Sequence, residues 1–125
     1  MTLYLVRGLP GSGKSTFAYR LATYVLEADQ YFLVNGIYQY NPKYIKEAHD
    51  WCQLETRHHL RQGHDVAVAN TFTQRWEMKP YYDMCSGKII EIIISTPLTD
   101  EELAARCIHK VPFEKINEMR RRWEL

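Results

Sequence analysis

The chain has 125 residues, 46% of them hydrophobic and 25% charged, the balance of a soluble globular domain. Basic and acidic side chains nearly cancel to a formal charge of +1, which excludes the global positive field of a general nucleic-acid binder and confines any basic surface to a local patch. The longest apolar run, residues 89–94, is interrupted by Glu91 and is far too short to span a bilayer. The three cysteines (Cys52, Cys85, Cys107) are odd in number, lack CxxC spacing and read as reduced thiols. With no leader-like segment ahead of the first strand, the expectation is a single cytoplasmic domain over residues 1–125.

Leu3-Tyr4-Leu5-Val6 reads as a short buried parallel strand. It feeds Gly8-Leu9-Pro10-Gly11-Ser12-Gly13-Lys14-Ser15, which fits the Walker A template Gly-x-x-x-x-Gly-Lys-Ser/Thr at every fixed position. A helix follows from Lys14 to Tyr24, with Phe17, Ala18, Leu21 and Ala22 expected inward. Strand, glycine loop and helix N-terminus together form an anion site, because the glycines admit close backbone approach and the first helical N–H groups lack partners. Lys14 is expected at the β- and γ-phosphates of a nucleotide and the Ser15 hydroxyl on Mg²⁺. The competing reading is a glycine turn before an ordinary helix, with Lys14 solvated.

Residues 24–28 read as a second strand ending at Asp29, and ligands gather at the carboxyl ends of parallel strands. Residues 30–41 are aromatic-rich with an Asn35-Gly36 turn signal, so they form a surface excursion or small hairpin. Asn41-Pro42 opens a helix that runs to about Gln62 and stops at Gly63, with Ile45, Ala48, Cys52 and His59 or Leu60 inward. Val66 to Ala69 form the third strand, handing over to Asn70-Thr71. A helix over about 75–85, bent or started late by Pro80, precedes a fourth strand at residues 89–95. Thr99-Asp100-Glu101-Glu102 is a capping box, and its helix turns Leu103, Ala104, Cys107 and Ile108 inward. The last helix begins at Pro112 with Phe113, Ile116, Met119 and Trp123 on one stripe. The order implies an α/β fold: a parallel sheet of about four strands with helices on both faces.

These blocks resemble the P-loop kinase family that includes polynucleotide kinase domains and related ATPases. The resemblance covers nearly the whole chain. It is carried by Arg7 to Ser15, Ala28-Asp29-Gln30-Tyr31-Phe32, Asn70-Thr71, Trp76 to Tyr81, and Glu102 to Pro112 with Met119 to Trp123. It implies a P-loop NTPase fold with a C-terminal helical lid at about residues 98–112, and transfer of the ATP γ-phosphate to a hydroxyl. The acceptor implied is a nucleic-acid 5′-end or a nucleoside. By the resemblance Asp29 is the general base, Arg106 is the lid arginine on the transferring group, and Lys14 completes the catalytic set. Gly8, Pro10, Gly11, Ser12, Gly13, Lys14, Ser15 and Thr16 hold the nucleotide. Mg²⁺ falls to Ser15, with Asp29 and Asn70 acting through water, and His109 and Lys110 are further phosphate contacts. Asn70 stands where the family usually has an aspartate, and Gln30 and Phe32 replace residues that are polar or charged in other members.

Plainer readings stand beside these. The competing reading of Asp29 is a turn cap, which its place at a strand end beside the glycine loop disfavours, and that of Arg106 is the surface partner of Glu102 four residues earlier. An ATP-binding regulatory module with decayed catalysis, and a small-metabolite kinase, are the alternative functions. The run Arg120-Arg121-Arg122 reads as a solvated helix face, with Glu118 pairing Arg122, rather than a phosphate contact. Tyr31, Phe32, Tyr38, Tyr40 and Trp51 either stack a base or pack the fold.

Overall fold

The computed structural model describes residues 1–107 and 111–125. Four strands form one parallel sheet: β1 (Thr2–Arg7), β2 (Tyr24–Leu26), β5 (Val66–Asn70) and β6 (Lys88–Ile93), in the spatial order β2-β5-β1-β6. The helices are α1 (Lys14–Leu21), α2 (Ile45–Arg61), α3 (Lys79–Met84), α4 (Asp100–Arg106) and α5 (Phe113–Arg121). A two-stranded antiparallel hairpin, β3 (Leu33–Val34) with β4 (Ile37–Tyr38), turns at Asn35 and Gly36, both with positive φ. The chain has the α/β architecture of P-loop kinases.

Alternation along β1 explains the layers. Leu3 and Leu5 point to one face, where they meet Ala48, Cys52, Leu60, Phe72, Met78 and Tyr81 from α2, α3 and the loops. Val6 points to the other face and packs with Ala18 of α1, Val25, Ala67 and Ala69. Every residue of β5 is buried, as a central parallel strand requires. Burying side chains such as Leu3 and Leu5 completely contributes about 1.5–3 kcal/mol each.

Several local expectations need correction. Helix α1 stops at Leu21 and Phe17 is exposed, while Ala18 is buried over the sheet with Leu21 and Ala22 packed partly against the same cluster. Strand β2 ends at Leu26, two residues early, and residues 28–32 wind into a 3₁₀ turn. In α2 the inner stripe is Ala48, Cys52, Thr56 and Leu60, with Ile45 exposed. Thr56 is buried with its hydroxyl satisfied, donating to the Cys52 carbonyl at 2.7 Å. Only Ile116 of the α5 stripe is buried, and Phe113 is exposed. Arg122 does not turn to Glu118: its Nε donates to Thr73 Oγ1 at 3.2 Å.

That last bond belongs to a knot around Arg7, which is fully buried at the end of β1. Its Nε donates to the Phe72 carbonyl at 3.1 Å, one terminal nitrogen donates to the Phe72 and Glu124 carbonyls, and the other reaches Glu91 at 3.3 Å. The guanidinium lies 4.9 Å from the Trp123 ring centre, and Glu124 N–H donates to Thr73 O at 2.7 Å. The tail after α5 is thereby tied to the sheet end that carries the glycine loop.

Candidate nucleotide and phosphoryl-transfer site

The loop after β1 turns back on itself through Ser12 N–H donating to Leu9 O at 3.1 Å. Gly13, at φ 91°, starts α1 with no side-chain cap, so the first-turn N–H groups face outward without a side-chain partner. A Cβ on Gly8 would meet Ser12 Oγ at 2.5 Å, which shows how closely the loop is wound. Ser12 Oγ is buried with no hydrogen-bond partner among the described residues. Burial pushes the Lys14 ammonium below its ordinary pKa, and Glu27, Asp29 and Cys107 push it partly back up. A half-buried cation, an orphaned hydroxyl and uncapped helix N–H groups in one cradle fit a phosphate chain.

The acidic side of the cradle comes from the segment after β2. Ser15 Oγ donates to Glu27 Oε1. The sequence reading misses Glu27, although it follows the apolar pair Val25-Leu26 at the same sheet edge that makes Asp29 a candidate. Asp29 sits exposed in the 3₁₀ turn, where Tyr38 Oη donates to its Oδ1 at 3.3 Å. Burial, then the Asp29 charge, holds the Tyr38 hydroxyl well above its ordinary pKa, so Tyr38 remains the donor of that bond. Asn70, paired in register with Arg7, is buried; its Oδ1 accepts from Ala28 N–H at 3.0 Å and its Nδ2 points at Cys52 Sγ, 3.8 Å away.

Beyond β6, Thr99 and Glu102 form the expected capping box, with Glu102 N–H donating to Thr99 Oγ1 and Thr99 N–H to Glu102 Oε1, both at 3.2 Å. Glu102 is therefore turned back to its own helix start, and among the described residues no ion pair joins it to Arg106, which is exposed in the last turn of α4. Asp100 braces the two helices, accepting from Asn117 Nδ2 at 2.9 Å and Arg120 Nε at 2.8 Å of α5. Both bonds hold its carboxyl below the usual range, Asn117 contributing first. Helix α4 touches the glycine loop at the Leu103 carbonyl, against which Gly11 rests. His109 and Lys110 lie outside the described residues.

The hairpin segment forms a third wall. Phe32 is buried and makes edge contacts with Tyr38 and Tyr40, while Tyr31 leans on Trp51. An open cavity of about 370 Å³ is lined by Tyr31, Phe32, Val34, Gln39, Tyr40, Asn41 and Tyr44. Lys115 of α5 approaches the Tyr40 ring at 6.0 Å. Tyr81 is buried in the core, whereas Trp76 and Tyr82 are exposed. No helix is long and apolar enough to cross a membrane among the described residues.

Fold and cradle together define a P-loop kinase-like, nucleotide-binding domain. The chain belongs to the AAA domain family, which it matches over residues 3–125. Over 130 residues it is 38% identical to NEDD4-binding protein 2 of Homo sapiens, an alignment covering 95% of this chain and 7% of that protein. The chain thus spans a small fraction of that relative. A chain of the Pnkp1/Rnl/Hen1 RNA repair complex superposes with a TM-score of 0.73 at 20% identity, covering 97% of this chain and 43% of that one. A gluconokinase from Sinorhizobium meliloti gives 0.66 at 16% identity, covering 99% and 75%. A sugar kinase from a Janibacter species gives 0.72 at 16%, covering 100% and 79%. The fold is shared across kinases named for different acceptors.

Proposed function

We propose that this domain binds MgATP and moves the γ-phosphate onto a hydroxyl of a nucleic-acid 5′-end or a nucleoside. The observation that carries this reading is the position of Asp29: it stands in the turn after β2, and Tyr38, packed on the rings that line the aromatic cavity, donates to it. Gly8, Pro10, Gly11, Ser12, Gly13 and Thr16 would line the phosphates with backbone and hydroxyl donors, and Lys14 would take the β/γ charge. Ser15 fits a Mg²⁺ ligand, with Asp29 reaching the cation through water; a bound Mg²⁺ would supply positive charge opposite the phosphate oxygens. Asn70 is given a holding role rather than a metal contact, since its carboxamide is engaged at both ends.

Tyr38 fixes Oδ1 of Asp29 and leaves Oδ2 to take the proton of the attacking hydroxyl, a contribution of about 10²–10⁴ in rate. Arg106, released from Glu102 by the capping box, is the lid cation for charge on the phosphoryl oxygens. The Tyr31–Tyr44 cavity offers flat apolar walls that suit a base, with Lys43 and Lys115 at its rim near Tyr44 and Tyr40.

The test is γ-labelled ATP with 5′-hydroxyl oligonucleotides, wild type against Asp29→Asn. Label transfer by the wild type and a loss of about 10²–10⁴ in the variant is expected. Equal transfer removes Asp29 from the mechanism. Transfer to a polyol acid in place of oligonucleotides, with affinity insensitive to salt, assigns a small-metabolite acceptor instead.

A further inference from the structure

We infer that Glu27 is the acid of the cation site, holding the Ser15 hydroxyl in its metal-binding orientation and supplying the negative charge that Asn70 lacks. The inference rests on the MgATP reading and adds a residue that the Walker A template does not specify.

The strand pattern aims Glu27 at the cradle. Val25 and Leu26 face opposite sides of the sheet, Val25 packing in the cluster with Ala18 of α1 and Leu26 in the cluster with α2. Glu27 keeps extended backbone angles (φ −139°, ψ 141°), so its side chain follows Val25 to the α1 side, where Ser15 stands in the first turn. Asn70 is on the other side of this choice. Its amide is shared between Ala28 N–H and the Cys52 thiol, so it fixes the backbone next to Glu27 and brings no charge.

The direction of the hydroxyl proton then matters. Ser15 has one proton, and donating it to Glu27 leaves both oxygen lone pairs for a cation on the phosphate side. A carboxylate behind a ligand also raises the ligand's basicity. Glu27 is the first of the charges that push Lys14 back up, so its negative field reaches the cradle. Ser15 and Glu27 bring one hydroxyl and one carboxylate, a small donor set that phosphate oxygens and waters would complete. That is the binding mode of Mg²⁺, which keeps its waters and takes few protein ligands beside phosphates. Glu27 is thus a positioning residue, acting through Ser15.

Titration calorimetry with a non-hydrolysable ATP analogue, in Mg²⁺ and in EDTA, tests this. Wild type should bind more tightly with Mg²⁺ than without. In Glu27→Gln, which keeps an acceptor for Ser15 but not the charge, metal-free affinity should hold or rise. The gain from Mg²⁺ should shrink by roughly 10–100-fold. Glu27→Asp should recover part of that gain, and serves alone if the Gln variant does not fold. Electron paramagnetic resonance of Mn²⁺ with the analogue should show the same order of variants. A Gln variant with the full Mg²⁺ gain, or with equal losses in Mg²⁺ and EDTA, overturns the inference. A wild type that binds the analogue without any metal dependence overturns it and leaves the nucleotide reading intact. A wild type that binds no nucleotide at all sinks both.

Discussion

Asn70 Oδ1 accepts the Ala28 N–H at 3.0 Å, tying the end of the central strand β5 to the start of the turn that carries Asp29. The Asn70 side chain acts as a structural strut between strand and turn. Truncating it to alanine leaves a buried N–H without its acceptor, which costs about 1–3 kcal/mol. Urea denaturation of Asn70→Ala should show a loss of that size with an unchanged slope. A change below a few tenths would mean that the turn holds itself.

Arg7 is the second buried polar device at this sheet end. Arg7→Met keeps much of the apolar stem but removes the donors to the Phe72 and Glu124 carbonyls. The buried Phe72 oxygen alone accounts for about 1–3 kcal/mol. Hydrogen exchange at Glu124, whose N–H donates to Thr73, should accelerate before the sheet opens. Arg7→Lys should recover little, because a single ammonium cannot reproduce the forked guanidinium contacts.

These two residues show where the sequence was informative and where it was not. The glycine loop, the four strands and the Thr99 capping box were legible because each is a local pattern: fixed spacing, an apolar run, a side chain bonding its own turn. Arg7 and Asn70 take their roles from partners 65 and 42 residues away, which no local pattern encodes. Glu27 was lost to a boundary: reading β2 through residue 28 made it a strand residue rather than the edge acid beside Ser15. Spacing alone turns Phe17 and Ile45 inward, but the buried residue of α1 is Ala18 and α2 begins buried packing only at Ala48.

At the opposite sheet edge His59 and His64 face each other through their Nδ1 atoms, 3.2 Å apart, both rings stacked on Tyr24. The ring centres are 5.5 Å apart, so the two nitrogens lie near the line between them. Burial, then the neighbouring His64 and His58, holds His59 below its ordinary 6.5, with Glu55 opposing. The unfolded chain therefore takes up a proton before the folded one does. The stability linked to His59 is complete above pH 6.5 and is lost as pH falls through its lowered folded value. The urea midpoint should drop between pH 8 and 5, and His59→Phe should flatten that slope. An unchanged slope would assign the acid sensitivity to other groups.

Gly11 and Gly13 separate backbone strain from contact. Both have positive φ, 80° and 91°, so alanine at either pays about 1–2 kcal/mol for a left-handed conformation. A Cβ at Gly13 meets nothing within 4 Å, whereas one at Gly11 runs into the Leu103 carbonyl of α4. Gly13→Ala should lose only the strain. Gly11→Ala should lose more, and should loosen α4, read as faster exchange at the Leu103 N–H that donates to Thr99 O at 2.9 Å. Because Asp100 couples α4 to α5, the loosening should carry to Asn117 and Arg120. Equal losses in the two variants would mean that the glycine loop and the helix bearing Arg106 move independently.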